Sequence, residues 1–341
     1  MLTLTGMLVA LAASQAAGSW KQLPLLPDKE GFAGPFAGVS RGALLVAGGA
    51  NFPGKKPWDG GRKVWYADVY VLDRPDGTWK VVGKLPRPLG YGVSVTHGTG
   101  VICVGGSDAD RHYADVFRLD WKDERLLTTP LPPLPCPVAN ACGAIVGEVL
   151  YISGGLDKPD AADASKTTLR LDLAATKPAW SEIAPCPGGG RMLAVAAAFD
   201  GAFWVAGGVD LVAGPGGKID RRYRKDVYRH DANRGWQRAA DLPCPLAAAP
   251  SPCPADATGF YVLGGDDGTN VGRPPDRHPG FRKTILRFDG AGGKWIEAGD
   301  LSVARVTVPF VQWGGRWVIP SGEARPGVRS PEVWSVDHPV K

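Results

Sequence analysis

Leu44-Leu45-Val46-Ala47-Gly48-Gly49, followed by Asp68-Val69-Tyr70-Val71-Leu72-Asp73, decides how this chain is read. An apolar run ends in two glycines, a loop follows, and a second apolar run ends in aspartate. The unit returns as Ile102-Cys103-Val104-Gly105-Gly106 with Val116-Phe117-Arg118-Leu119-Asp120, then as Tyr151-Ile152-Ser153-Gly154-Gly155 with Leu169-Arg170-Leu171-Asp172. A fourth copy is Trp204-Val205-Ala206-Gly207-Gly208 with Val227-Tyr228-Arg229-His230-Asp231. A fifth is Tyr261-Val262-Leu263-Gly264-Gly265 with Ile285-Leu286-Arg287-Phe288-Asp289. The sixth is altered: Trp317-Val318-Ile319-Pro320-Ser321-Gly322, then Val333-Trp334-Ser335-Val336-Asp337.

Short β-rich runs broken by Gly, Pro and Asp read as antiparallel strands. Glycine lacks a Cβ and so permits positive φ and close backbone approach where a strand ends. Aspartate can cap the next turn with its own side chain. A unit of roughly 50 residues is a repeat architecture with the kelch period. Trp79, Trp180, Trp236 and Trp295 stand five to eight residues beyond their aspartates. Units of this kind resemble the kelch family of β-propellers, which places a tryptophan on the outermost strand of each blade. The second unit departs, because Trp121 follows Asp120 directly, and the sixth has only four residues after Asp337. Trp20 stands alone near the start. The expected fold is therefore all-β, a six-bladed kelch β-propeller closed by an N-terminal strand near Trp20. Such closure removes exposed sheet edges.

Residues 1–18 are apolar and end in small residues, too short a stretch to span a bilayer. They resemble the later part of a secretory signal peptide, although the first basic residue is Lys21. This divides the chain into a leader over 1–18 and one propeller domain over 19–341, exported to the periplasm or secreted, with no membrane insertion once the leader is removed. A net charge of +5 suits a small anionic ligand and is too weak and scattered for nucleic acid. Four of the six cysteines sit in Pro-Cys-Pro tripeptides, Cys136, Cys186, Cys244 and Cys253. Equivalent places on different blades lie too far apart for a disulfide, so these read as small buried turn residues. No Cys-x-x-Cys occurs, and the histidines show no metal-ligand spacing.

In a four-stranded blade, the loop after Gly-Gly and the loop joining successive blades open on one face. Residues at the start of the innermost strands on that face are Tyr91, Asn140, Arg191 and Arg305, expected near the axis. Long loops after Gly49, Gly208 and Gly265 are expected to wall a pocket. The sixth unit alone is expected to set a carboxylate beside the axis immediately after its glycine, in Ser321-Gly322-Glu323-Ala324-Arg325-Pro326-Gly327-Val328-Arg329. One reading is a Glu–Arg pair that ties down a loop. The other is a general base flanked by cations that hold an anionic substrate. The basic run Arg221-Arg222-Tyr223-Arg224-Lys225 reads as a solvated loop with a lesser claim on anions, and His278 as an exposed loop histidine at the rim.

Gly322-Glu323-Ala324-Arg325-Pro326-Gly327-Val328-Arg329 resembles the Gly-Glu-Ala-Lys-Pro-Gly-Leu-Arg segment of the sialic acid mutarotases, or N-acetylneuraminate epimerases. Phe32-Ala33-Gly34-Pro35-Phe36-Ala37-Gly38-Val39-Ser40 is similar to their Gly-Gly-Phe-Ala-Gly-Ile-Ser, with an insertion. Tyr91-Gly92-Val93-Ser94 matches their Tyr-Gly-Val-Ser, and Gly188-Gly189-Gly190-Arg191 their Gly-Gly-Pro-Arg. The order differs: in well-known members the Phe-Ala-Gly unit follows the Gly-Glu-Ala segment, whereas here it comes first, as in a circular permutant. The resemblance implies cofactor-free interconversion of anomers of N-acetylneuraminate or a related acidic sugar. It makes Glu323 the proton acceptor and Arg329 the active-site arginine, with Tyr91, Asn140, Arg191, Arg305 and Arg325 as substrate-binding candidates. The loop from Asp266 to Arg282 differs from those of the relatives. A non-catalytic kelch module binding a glycan or a protein is the alternative. A copper oxidase of the galactose oxidase kind would need a Tyr/His metal set, which the sequence does not assign.

Overall fold

The computed structural model describes residues 20–337, so the leader expected over 1–18 lies outside the described residues. Among the described residues there is no α-helix, only three single 3-10 turns at Pro57–Asp59, Pro215–Gly217 and Pro275–Arg277. The strands form six blades around one axis. Blade one runs outward as Phe36–Ser40, Ala43–Ala47, Asp68–Leu72 and Lys80–Lys84. Blades two, three and four repeat this from innermost strands at Val93–His97, Cys142–Val146 and Val195–Phe199. Blade five has three regular strands, Gly259–Gly265, Arg282–Asp289 and Lys294–Asp300. Its innermost stretch carries Pro250, Pro252 and Pro254, which lack the N–H a ladder needs, and leaves one isolated bridge from Ala255 to Phe260.

Blade six is completed from the other end of the sequence. Val311–Trp313, Arg316–Pro320 and Val333–Asp337 are joined by Lys21–Leu23 as the outermost strand, with Gln22 opposite Trp334. The closing strand thus lies where the unpaired Trp20 pointed.

The apolar runs are continuous because each blade is packed on both faces. Leu44 and Val46 face blade six, while Leu45 and Ala47 face blade two. Successive side chains point to opposite sides of a strand, so a sandwiched strand is apolar at every position. The core is a circle of such interfaces rather than one central mass. The outer tryptophans tie blade to blade: the indole N–H of Trp79, Trp180, Trp236 and Trp295 donates to the carbonyls of Pro24, Pro132, Ala184 and Ala240, just past the outer strand of the preceding blade.

The Gly-Gly pairs are joints of the same kind. The second glycine donates its N–H to the neighbouring blade, as in Gly49 to Leu89 and Gly208 to Leu246, both at 2.8 Å. The first glycine has positive φ, and a Cβ there would lie 2.2 Å from the Leu89 carbonyl at Gly48 and 2.1 Å from that of Leu246 at Gly207.

One residue per blade then turns left-handed at the axis: Gly34, Tyr91, Asn140, Leu193, Ala248 and Thr307, with φ between 50 and 62°. Each donates its N–H to the carbonyl of the one before it, at 2.6 to 2.8 Å, and Gly34 closes the circle onto Thr307. This six-membered backbone ring is the rim of the central channel, which is narrow at that level, with about 70 Å³ of free space.

Candidate active site

Above the ring, on the face of the Gly-Gly loops, the channel opens into a cavity of about 650 Å³. Its floor is set by the ring. Tyr91, Asn140 and Thr307 line it with polar side chains and Leu193 with an apolar one. The residue before each ring member makes paired backbone bonds with the residue that follows Gly-Gly in the same blade. This brings Ala50, Ser107, Leu156, Val209, Asp266 and Glu323 to equivalent places beside the axis. The expectation that only the sixth unit carries a carboxylate there is therefore corrected: Asp266 is its counterpart in the fifth. The two differ in use. Asp266 accepts the Tyr223 hydroxyl at 2.6 Å and the Gly268 N–H, whereas Glu323 lines the cavity.

Glu323 begins a two-stranded hairpin, Glu323–Arg325 with Val328–Arg329, that stands over the mouth. Its Oε1 accepts the Gly327 N–H at 2.8 Å and lies 3.0 Å from Arg329 Nη1. Its Oε2 has only the Thr307 hydroxyl, at 3.4 Å. One oxygen is committed to the hairpin and the other is left for a ligand. The Arg329 side chain is 4% exposed, lies over the Phe52 ring at 4.6 Å, and sets Nη2 3.4 Å from the Tyr91 hydroxyl. Arg329 thus faces Glu323, so the loop-tying contact exists alongside access to the cavity.

The three long loops do wall the site. The one after Gly49 brings Phe52, Pro57, Lys63 and Trp65; the one after Gly208 brings Leu211 and Arg221; the one after Gly265 brings Pro275. Lys63 Nζ is 5.1 Å from the Trp65 ring and 5.0 Å from that of Tyr91. The basic run splits: Arg222 and Arg224 pair with Asp210, and Arg221 reaches the cavity.

Two expected ligand-binding arginines are elsewhere. Arg191 and Arg305 lie two residues before their ring members, the position that Phe32, Leu89, Val138 and Leu246 fill with apolar side chains between blades. Arg191 is buried there against Asp226 at 2.9 Å, the carbonyls of Pro187 and Gly207, and the Tyr228 ring. Arg305 is spent on Ser330 and Glu332. The left-handed turn at Leu193 and at Thr307 separates each arginine from the channel and leaves it at a blade junction. Arg325 stands outside the cavity lining, over Trp58 at 5.9 Å, and donates to the Asp276 carbonyl. His278 is buried against Phe281 rather than exposed.

His112 is a cavity residue that sequence reading missed. Its Nδ1 bonds the Leu156 carbonyl at 3.0 Å; a carbonyl only accepts, so Nδ1 carries the proton and Nε2 presents a lone pair. Burial holds its pKa below the usual histidine value of 6.5, which keeps the ring neutral at neutral pH. Its signal was weak, a single histidine six residues past a Gly-Gly. Among the described residues all six cysteines are free, and no cluster of three His, Cys, Asp or Glu side chains could hold a metal ion. Burial pushes the Cys142 thiol up to about 12 and that of Cys186 to about 11, in keeping with inert core residues. No helix of the described residues is long and apolar enough to cross a membrane.

Residues 5–128, reaching through most of blade two, match the N-acetylneuraminate epimerase family model. The N-acetylneuraminate epimerase of Salmonella enteritidis is 46% identical over 119 residues, 31% of this chain and 30% of that protein. The one of Haemophilus influenzae is 37% identical over 122 residues, 31% of this chain and 32% of the relative. The matched stretch thus spans about a third of the length of these curated relatives. The solved structure of YjhT superposes with a TM-score of 0.67 over 91% of this chain and 96% of YjhT, at 16% identity, which speaks for the fold alone. The chain is a six-bladed β-propeller whose first two blades are similar in sequence to the N-acetylneuraminate epimerases.

Proposed function

We propose that this protein interconverts the anomers of N-acetylneuraminate or a closely related acidic sugar, with Glu323 as the general base. The observation that carries the reading is a carboxylate at the channel axis with one oxygen, Oε2, open to a cavity that also holds Arg329, Lys63 and Arg221. Mutarotation removes the proton of the anomeric hydroxyl, opens the ring, turns the exposed keto group and closes the ring again. A carboxylate suits the first step, and general base catalysis is worth roughly 10²–10⁴-fold. A sugar acid carries a carboxylate on the anomeric carbon, which cations at the mouth orient; a guanidinium does so with two parallel bonds. The apolar side of the cavity, Leu156, Met192, Leu193 and Leu211, suits the methyl of an acylamino group. The named relatives agree with this substrate over the stretch that matches.

Proton NMR of freshly dissolved N-acetylneuraminate tests the reading. Acceleration of anomer exchange is expected, with Glu323→Gln losing about 10²-fold or more while binding persists. Arg329→Lys keeps the charge but loses the planar fork, and is expected to weaken binding. A second reading is favoured by the bonds from Oε1 to Gly327 and Arg329: Glu323 merely holds its hairpin, in a module that binds a glycan or a protein without turnover. In that case both variants lower the melting temperature alike, and exchange stays at its spontaneous rate with or without protein.

A further inference from the structure

Opening a cyclic hemiketal requires two proton transfers, because the anomeric hydroxyl loses a proton while the ring oxygen gains one. Glu323 accounts for the first only. We propose that Tyr91 is the general acid of the site, its phenol donating to the ring oxygen as Glu323 Oε2 takes the anomeric proton; this rests on the mutarotase reading above. The bond from the anomeric carbon to the ring oxygen breaks and its electron pair takes the Tyr91 proton. The carbon–oxygen double bond forms from the pair left by the proton that goes to Glu323. Closure on the other face of the keto group runs both transfers in reverse and restores the carboxylate and the phenol.

Three observations place Tyr91 in this role. First, it is a ring member with φ of 61°, a left-handed conformation that costs a bulky L-residue roughly 1–2 kcal/mol and persists only where the surroundings impose it. Its N–H and carbonyl are both held by ring bonds, to Gly34 at 2.7 Å and from Asn140 at 2.8 Å. Its side chain is aimed by Gly34, where a Cβ would lie 2.7 Å from Tyr91 Cδ1, and by the edge of Trp65 with ring centroids 6.4 Å apart.

Second, one guanidinium spans the two proposed proton carriers. Arg329 Nη1 is 3.0 Å from Glu323 and Nη2 is 3.4 Å from the Tyr91 hydroxyl, which sets base and acid side by side over the same floor. Third, Arg329 and Lys63, the latter 5.0 Å from the Tyr91 ring, bring positive charge to where phenolate charge develops as the proton leaves. The other candidates serve less well. His112 offers a bare Nε2, an acceptor, and the Thr307 hydroxyl is turned to Glu323. Lys63 remains a competing donor, so it enters the test.

Wild type, Tyr91→Phe, Lys63→Gln and Glu323→Gln are compared by exchange NMR on N-acetylneuraminate, with calorimetric Kd and melting temperature for each. Tyr91→Phe is expected to lower kcat by about 10²-fold or more, with Kd within about threefold and an unchanged melting temperature. Lys63→Gln is expected to weaken Kd and to lower kcat by clearly less than Tyr91→Phe does. A Tyr91→Phe protein keeping more than about a tenth of wild-type kcat, or losing turnover only in step with binding, overturns the assignment, as does a collapse of kcat in Lys63→Gln instead. A wild type that leaves exchange at its spontaneous rate overturns the mutarotase reading and this assignment with it. An active wild type with an active Tyr91→Phe overturns the assignment alone.

Discussion

Arg191 shows how one position takes its role from its surroundings. Its side chain is 1% exposed and its partner Asp226 lies across the junction of blades three and four, where Arg224 also pairs with Asp226. Burial would raise the Asp226 pKa, but Arg224 and Arg191 outweigh it and hold the carboxyl below its usual value of 3.8. A depressed carboxylate adds stability that is complete above its unfolded pKa and is lost as the pH falls through the folded one. Asp226→Asn is therefore expected to flatten the loss of stability below about pH 3.8, as read by urea titration across the acid range. Arg191→Met removes one of the two cations on a buried carboxylate that Arg224 still pairs, and is expected to cost about 1–3 kcal/mol at neutral pH, without altering the chemistry of the folded fraction. Wild-type stability in Arg191→Met would show that the pair contributes nothing to the junction.

At the scale of the element, the Gly-Gly turn is a blade-to-blade joint, and its one exception shows what the joint requires. Ser321 replaces the first glycine and keeps φ at 79°, fully buried. Its hydroxyl oxygen accepts the Phe32 N–H at 2.8 Å and its proton goes to the Ser330 carbonyl at 2.7 Å. The strain of a left-handed L-residue, roughly 1–2 kcal/mol, is offset by these bonds. Ser321→Ala keeps the strain and strands the Phe32 N–H, and is expected to cost about 1–3 kcal/mol. Ser321→Gly relieves the strain and is expected to cost less. Thermal unfolding in which Gly is the more damaging of the two would contradict this account. The same substitution leads the chain into Glu323, so the irregular joint and the proposed base are neighbours by construction.

For the molecule as a whole, closure rests on three residues. Lys21–Leu23 supplies the outer strand of blade six, and Leu23 and Leu26 pack with Trp79 between blades six and one. Deleting residues through Leu23 exposes the edge of Val333–Asp337 and opens the circle. The expected result is concentration-dependent aggregation and a melting temperature lower by about 10 °C or more, read by light scattering and calorimetry. A monomer with an unshifted transition would mean that the other blade contacts suffice. Because the first and last strands lie in one blade, moving the start of the sequence around the circle changes no blade contact. The closed ring would therefore tolerate the permuted motif order expected from the sequence.

The sequence by itself determined the repeat, the number of blades and the strand that closes them. Each rests on local chemistry written at fixed spacing: apolar runs, glycine pairs, turn-capping aspartates such as Asp231 under Asn233 and Arg234, and tryptophans that bond the blade before. It also brought Tyr91, Asn140 and Glu323 to one mouth, since each is a ring residue or follows a glycine joint, while Arg329 came from the resemblance of its segment. Only the tertiary structure decided which side chains turn inward. Arg191 and Arg305 differ from Tyr91 and Asn140 by two positions along the chain, and that offset moves them from the channel mouth to a buried junction. Lys63, His112 and Arg221 reach the cavity from loops of unequal length, whose path is set by packing over neighbouring blades and leaves no periodic mark.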